Sequence, residues 1–151
     1  FSKTALLKAI RQVLDQPVGQ LFLPNAAREP ARILIVDDDE QINVMMQDML
    51  RKEGYRVLVA SSVAKGISLL RQEPVDLLIT DMLMPERDGI EAIQEVRRFW
   101  PSLKIVAMSG GGVGLTPEIY LDAAQHLGAA RVLVKPFSRE KLLKTVSEAL
   151  G

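Results

Sequence analysis

The sequence of 151 residues contains no cysteine and only one histidine, His126. Disulfide bonds, thiolate nucleophiles and cysteine-based zinc or iron–sulfur sites are therefore excluded, and one histidine cannot build a histidine metal site. A net charge is also missing, because 19 Lys and Arg balance 19 Asp and Glu. This balance argues against a nucleic-acid-binding protein, which needs a basic surface to displace the counterions of the phosphates.

Long apolar runs and a signal peptide are missing as well. No run approaches the ~20 residues that a membrane span requires, so we expect no membrane contact and a cytoplasmic location. Hydrophobic residues make up 48% of the chain and charged residues 25%, as in ordinary folded domains. The first residue is Phe1 rather than Met, so we expect a chain cut from a longer protein.

The first 30 residues differ in pattern from the rest. Residues 1–16 have apolar side chains at helical spacing, with Ser2 as a candidate N-cap and Pro17 as the stop. Residues 17–30 hold three Pro and one Gly and show little periodicity, which is typical of a linker. We therefore expect a terminal helix over 1–16, a linker over 17–30 and one domain over 31–151.

Within 31–151, five short apolar runs alternate with five helical patterns. Strands are predicted at 33–36, 56–60, 75–80, 104–108 and 131–134, and helices at 40–52, 62–72, 89–99, 117–127 and 138–150. Runs that are apolar throughout indicate parallel strands covered on both faces. The alternation predicts an α/β fold with a doubly wound, five-stranded parallel sheet. On the first of these helices Met45, Met46 and Met49 form a stripe that we assign to the core.

Polar residues follow four of the five predicted strands. In such sheets a ligand binds at the carboxyl ends of the strands, and with the strand order 2-1-3-4-5 these residues converge. The converging set is Asp37, Asp38, Asp81, Ser109 and Lys135. The next two acidic residues, Asp39 and Glu40, suit the start of the following helix.

Three carboxylates placed together repel one another unless a cation joins them. Mg²⁺ suits such a site because it prefers oxygen ligands and takes one or two carboxylates with waters and phosphate oxygens. A carboxylate beside Mg²⁺ can attack phosphorus, and a lysine and a hydroxyl can hold the transferred oxygens. Each residue alone also has an ordinary role, in a helix cap, a turn or a solvated surface. The glycines at 110–114 match no nucleotide-binding motif.

The segment 31–151 resembles the receiver domain of two-component response regulators. The resemblance rests on ILIVDDDE (33–40), DLLITDMLMPERDG (76–89), KIVAMSG (104–110) and LGAARVLVKPFS (127–138). It implies a flavodoxin-like fold and an aspartate that takes a phosphoryl group from the phosphohistidine of a histidine kinase or a histidine phosphotransfer domain. It also implies a signalling switch that catalyses only its own phosphorylation and dephosphorylation.

The resemblance assigns roles to the acidic residues. Asp81 matches the phosphoacceptor. Asp37 and Asp38 match the acidic pair that holds Mg²⁺, with Asp38 as the direct ligand. Asp81 and the backbone carbonyl of Leu83 match the remaining protein ligands of the metal.

The resemblance also covers the last two strand ends. Ser109 matches the switch hydroxyl, and Lys135 matches the lysine that pairs with the phosphoryl group. Pro136 matches a proline whose peptide bond is usually cis in the family. One position departs from the family, because Val132 stands where an aromatic switch residue is usual. We therefore expect the response to phosphorylation in the loop 109–115 and the helix after it.

The N-terminal helix resembles the C-terminal one. Phe1–Leu14 aligns without gaps to Phe137–Leu150, with six of fourteen residues identical. We therefore expect residues 1–16 to be the last helix of a preceding receiver domain, in a tandem-receiver or hybrid sensor kinase protein with Lys-Pro before Phe1. Such a helix lacks its own sheet, so we expect it to pack on its neighbouring domain or to form a homodimer.

Two other functions remain open from the residues alone. Asp37 and Asp39 have the DxD spacing of haloacid dehalogenase-type, Mg²⁺-dependent phosphatases, although Gln41 stands where those enzymes have a hydroxyl. An interaction platform that is never phosphorylated is the second alternative. The complete Asp, Ser and Lys set argues against it, because a scaffold has no use for such a set.

Overall fold

The computed structural model describes residues 30–84, 87–110, 122 and 124–151. The helix predicted over 1–16, the linker, the glycine loop beyond Gly110 and most of the helix predicted over 117–127 lie outside the described residues. Among the described residues no helix is long and apolar enough to cross a membrane.

The five predicted strands and four of the five predicted helices are present among the described residues, in the predicted order. The five strands of the main sheet are β1 (Arg32–Val36), β2 (Arg56–Ala60), β3 (Leu77–Asp81), β6 (Lys104–Ser109) and β7 (Arg131–Val134). Two short strands, β4 (Leu83–Met84) and β5 (Arg87–Asp88), pair with each other. The helices are α1 (Glu40–Lys52), α2 (Val63–Gln72), α3 (Gly89–Phe99) and α4 (Arg139–Leu150).

The main sheet has the order β2-β1-β3-β6-β7 with every pair parallel, which confirms the predicted topology. Its register pairs Val36 with Thr80, Asp81 with Met108, and Ser109 with Val134. The carboxyl ends of β1, β3, β6 and β7 therefore reach the same edge of the sheet.

Side chains at the helix starts explain where three helices begin. The carboxylate of Asp39 accepts hydrogen bonds from the backbone N–H groups of Gln41 and Ile42, at 2.9 and 3.3 Å. Ser62 and Ser138 accept in the same way at the starts of α2 and α4. These bonds satisfy N–H groups that a helix start leaves unpaired, and they confirm the predicted role of Asp39.

Two apolar cores lie on opposite faces of the sheet. One contains side chains of α2 and α3, such as Ile67 and Ile93, and the other contains side chains of α1 and α4, such as Leu50 and Val146. Residues of β1 alternate between the two cores, because successive side chains of a strand point to opposite faces. Both faces are covered, which explains why the strands are apolar throughout.

Three details differ from the sequence prediction. Met45 is 38% exposed, so its assignment to the core is wrong, whereas Met46 is buried and Met49 packs against the second core. Strand β3 begins at Leu77 rather than 75, because the Asp76 carboxylate accepts a hydrogen bond from the N–H of Arg32 at 2.8 Å. The short β4–β5 pair was not predicted, since two-residue strands leave no periodicity.

Candidate functional site

Three carboxylates meet at the carboxyl edge of the sheet. Asp37 follows β1, Asp38 is the next residue, and Asp81 ends β3. One carboxylate oxygen from each of the three residues lies within 4.8 Å of the other two. Asp37 and Asp81 are buried and Asp38 is exposed. The convergence predicted from the strand order is therefore present in the structure.

Asp37 is held at each of its polar atoms. Its N–H donates to the carbonyl of Ala60 at 3.1 Å, and its carbonyl accepts from the Asn43 side-chain amide at 2.8 Å. One carboxylate oxygen accepts from the N–H of Asp39 at 2.9 Å, and the other accepts from Lys135. Burial and these hydrogen bonds hold the carboxylate of Asp37 in a fixed position in the site.

Lys135 brings a positive charge to the carboxylates. Its Nζ lies 2.7 Å from Asp37 Oδ2 and 3.4 Å from Asp81 Oδ2. Burial by itself lowers the pKa of Lys135, but the hydrogen bond to Asp37 and the charges of Asp81 and Asp37 outweigh burial and raise that pKa above its ordinary value. Lys135 therefore stays a cation at neutral pH.

Backbone contacts fix the position of the Lys135 main chain. Its N–H donates to the carbonyl of Ser109 at 2.9 Å, and the peptide bond to Pro136 is cis, as the resemblance implied. Gly110 lies beneath the side chain, where an added Cβ would stand 3.1 Å from Lys135 Cβ and Cδ. A side chain at position 110 would therefore push the lysine away from its present path.

Ser109 is completely buried at the end of β6, and its Oγ has no hydrogen-bond partner among the described residues. A buried hydroxyl without a partner costs stability, and no described residue supplies an oxygen for it, so the hydroxyl is suited to donate to a ligand oxygen. Among the described side chains at this edge, three carboxylates stand against one lysine, which leaves an excess of negative charge. Both features fit a divalent cation together with an anionic oxygen group.

Sequence reasoning missed two residues of this site. Asn43 in α1 bonds to Asp37, but a single Asn in a helical pattern gives no signal of its target. Gly110 belongs to the glycines at 110–114 that match no nucleotide-binding motif, and only the path of Lys135 in three dimensions shows why glycine stands there. By contrast, Asp39 has its carboxylate engaged at the start of α1, so the DxD pair of a phosphatase does not form at this edge.

Residues 33–147 match the family model described as the response regulator receiver domain. The chain belongs to the response regulator receiver domain family. It is similar to the chemotaxis protein CheY of Bacillus subtilis, with 33% identity over 121 residues, which cover 80% of this chain and 98% of that protein. Receiver domains take a phosphoryl group in two-component signalling, and this chain has that phosphoacceptor role.

Longer relatives carry a receiver domain as one part. The Transcriptional regulatory protein GlrR of Escherichia coli is 32% identical over 124 residues, which cover 82% of this chain and 27% of that protein. The chain thus spans about a quarter of the length of the first regulators that it matches. Receiver domains interact with histidine kinases or phosphotransfer proteins and are signalling domains rather than conventional enzymes.

Solved structures show the same fold. A response regulator receiver domain protein from Clostridium thermocellum superposes with a TM-score of 0.73 at 28% identity, covering 80% of this chain and 94% of that one. The chemotaxis protein CheY4 of Vibrio cholerae superposes with a TM-score of 0.71 at 30% identity, covering 80% of this chain and 99% of that one.

Val132, which stands at the usual position of the aromatic switch residue, is half-buried in β7 and packs against the core formed with α2 and α3.

Proposed function

We propose that this receiver domain takes the phosphoryl group on Asp81, with Mg²⁺ held by Asp37, Asp38, Asp81 and the backbone carbonyl of Leu83. The observation that carries the proposal is the position of Lys135, whose ammonium bridges two of the three carboxylates while the unpartnered hydroxyl of Ser109 lies buried at the end of the neighbouring strand.

The three carboxylates differ in what they are free to do. Each oxygen of Asp37 accepts one hydrogen bond, one from a backbone N–H and one from Lys135, so Asp37 offers its charge to the cation from a fixed position. Asp38 is exposed at the rim of the site and is suited to hold a cation. Asp81 ends the central strand β3, between Asp37, which follows β1, and Ser109, which ends β6, and Lys135 Nζ lies 3.4 Å from Asp81 Oδ2.

In the transfer, an oxygen of Asp81 forms a bond to phosphorus while the bond from phosphorus to the histidine nitrogen of the donor breaks. The electron pair of the broken bond stays on the imidazole ring. When bound, Mg²⁺ neutralises phosphoryl oxygens and lowers the repulsion between them and the carboxylates. Lys135 offers its ammonium to one phosphoryl oxygen and Ser109 donates its hydroxyl to another.

The donor in this proposal is a histidine kinase or a histidine phosphotransfer domain. Val44 and Met45 of α1 are exposed, by 64% and 38%, and lie six and seven residues after Asp38. Exposed apolar side chains beside a polar site suit a protein partner. A protein donor also explains how a phosphohistidine can be brought to Asp81 and held there.

The test is phosphorylation by a small-molecule phosphodonor with Mg²⁺, read by mass spectrometry of the intact chain. We expect one phosphoryl group on the wild-type chain and none on Asp81→Asn. Asp39→Asn is the matched control, since it changes a carboxylate of the same loop that only caps α1. Undiminished labelling of Asp81→Asn would refute the assignment, and no labelling of the wild-type chain would support a platform that is never phosphorylated.

A further inference from the structure

Asn43 is a polar residue on the buried face of α1, where the other buried side chains, Met46 and Leu50, are apolar. It is only 5% exposed. Asn is a weak helix former, because its side chain competes with the backbone for hydrogen bonds. Its Oδ1 also has no hydrogen-bond partner among the described residues. Helix stability and core packing therefore do not explain why Asn stands here.

Among the described residues, the side chain of Asn43 makes one hydrogen bond, and that bond is to the acidic loop. Its Nδ2 donates to the carbonyl of Asp37 at 2.8 Å. That carbonyl and the N–H of Asp38 belong to the same planar peptide unit. A hydrogen bond that fixes this carbonyl therefore also fixes the orientation of the peptide plane to which the Asp38 backbone is attached.

Asp38 depends on this support more than its neighbours do. Asp37 is bonded through both carboxylate oxygens, and Asp39 caps α1. Within the described parts of the chain the carboxylate of Asp38 makes no hydrogen bond or ion pair. Its direction toward the other two carboxylates is consequently set by its backbone, and Asn43 is the side chain that holds that backbone.

We infer that Asn43 is a positioning residue for the cation, acting through the Asp37–Asp38 peptide to aim the carboxylate of Asp38. The inference rests on the proposed function, because it takes the cation to be held by Asp37, Asp38 and Asp81. Groups that orient metal ligands without touching the metal typically change metal affinity 10–100-fold when they are removed. The unpaired Oδ1 is the stability cost of keeping an amide at this position.

The experiment compares the full wild-type chain with Asn43→Leu, which has a similar volume and removes both amide atoms. Mg²⁺ affinity is measured by titration calorimetry at 25 °C, and the free energy of unfolding is measured in urea without Mg²⁺. We expect the dissociation constant for Mg²⁺ to rise at least tenfold in Asn43→Leu. We expect no comparable loss of stability, because the variant also removes an unpaired buried oxygen. Met46→Leu on the same helix is the control and should bind Mg²⁺ as the wild type does.

The outcomes separate this inference from the proposed function. A merely structural role would lower the free energy of unfolding and leave the Mg²⁺ affinity of the folded variant unchanged, which would overturn the inference while labelling of Asp81 stands. Asn43→Ala, which also removes both amide atoms, takes the place of Asn43→Leu should the latter not fold. A wild-type chain that binds no Mg²⁺ would overturn both the inference and the metal part of the proposed function.

Discussion

Replacement of Lys135 by Met removes the positive charge among the carboxylates and keeps most of the aliphatic side chain. Asp37 is completely buried, and of the described partners of its carboxylate only the N–H of Asp39 would then remain. Asp37 and Asp81 would also face each other without the ammonium between them. We expect the chain without Mg²⁺ to lose stability in this variant.

The size of the loss follows from the two distances. With an effective dielectric constant of about 20, unit charges 2.7 and 3.4 Å apart attract by about 6 and about 5 kcal/mol. Desolvation of the buried ions offsets several kcal/mol for each ion, and removal of one partner of a buried pair typically costs about 3–5 kcal/mol. We expect about 3 kcal/mol for Lys135→Met, because Asp37 keeps one hydrogen bond.

Urea unfolding at neutral pH without Mg²⁺ measures this loss. The matched control is Lys141→Met on the exposed face of α4, which should stay within about 0.5 kcal/mol of the wild type. The folded-state pKa of Lys135 is raised, so its contribution is fully present below the unfolded-state pKa and is lost as the pH rises through the folded-state value. The difference between wild type and Lys135→Met should therefore be constant from neutral pH upward and shrink only in strongly alkaline solution.

A loss of stability no larger than that of Lys141→Met would refute the bridging role of Lys135.

For Lys135→Met we also predict a gain, in the affinity for Mg²⁺. Without the ammonium, the carboxylates attract a cation more strongly, so Lys135→Met should bind Mg²⁺ more tightly than the wild type. Mg²⁺ should then restore part of the lost stability, because a ligand that binds only the folded chain stabilises it.

Two further substitutions test the site and its scaffold. Ser109→Ala removes a buried hydroxyl that has no partner among the described residues, so it should leave stability unchanged or raise it by about 1 kcal/mol while it slows phosphorylation by a small-molecule donor. A clear loss of stability would show that the hydroxyl is bonded. Gly66→Ala would place a Cβ 2.7 Å from Val36 Cγ2 and should cost about 1–2 kcal/mol in urea although Ala favours helix formation. Ala64→Gly on the exposed side of α2 is the control and measures the difference in helix propensity between Ala and Gly, about 1 kcal/mol. Stabilisation by Gly66→Ala would contradict the close packing of α2 on β1.

The fold and the main residues of the site follow from patterns that the sequence carries locally. Apolar, β-branched runs between helical patterns predict a parallel sheet, and a parallel sheet places its strand ends at one edge. Asp37, Asp81, Ser109 and Lys135 each stand next to or at such an end, so strand order alone brings them together. Helix starts can equally be predicted from the sequence, because the side chains of Asp39 and Ser138 accept hydrogen bonds from backbone N–H groups two or three residues further along the chain.

The remaining features depend on contacts between residues that are distant in sequence. Met45 has helical spacing suited to the core, but the width of the buried stripe on α1 depends on how that helix sits on the sheet. Gly110 contacts Lys135, which lies 25 residues later, and no periodicity records such a contact. Likewise, Asp76 shortens β3 through a hydrogen bond to Arg32, which becomes visible only once β1 and β3 are neighbours.

Among the described residues, three buried polar side chains that go against local rules of stability lie around one edge of the sheet. Asp37 is a completely buried carboxylate, Ser109 is a buried hydroxyl without a described partner, and Asn43 is a buried amide inside a helix. Apolar residues at these positions would suit the adjoining cores better. Sequences agree with their folds at most positions and depart from that agreement where function requires it. The shared location of these departures, beside Asp81 and Lys135, therefore supports a single site for phosphoryl transfer at this edge.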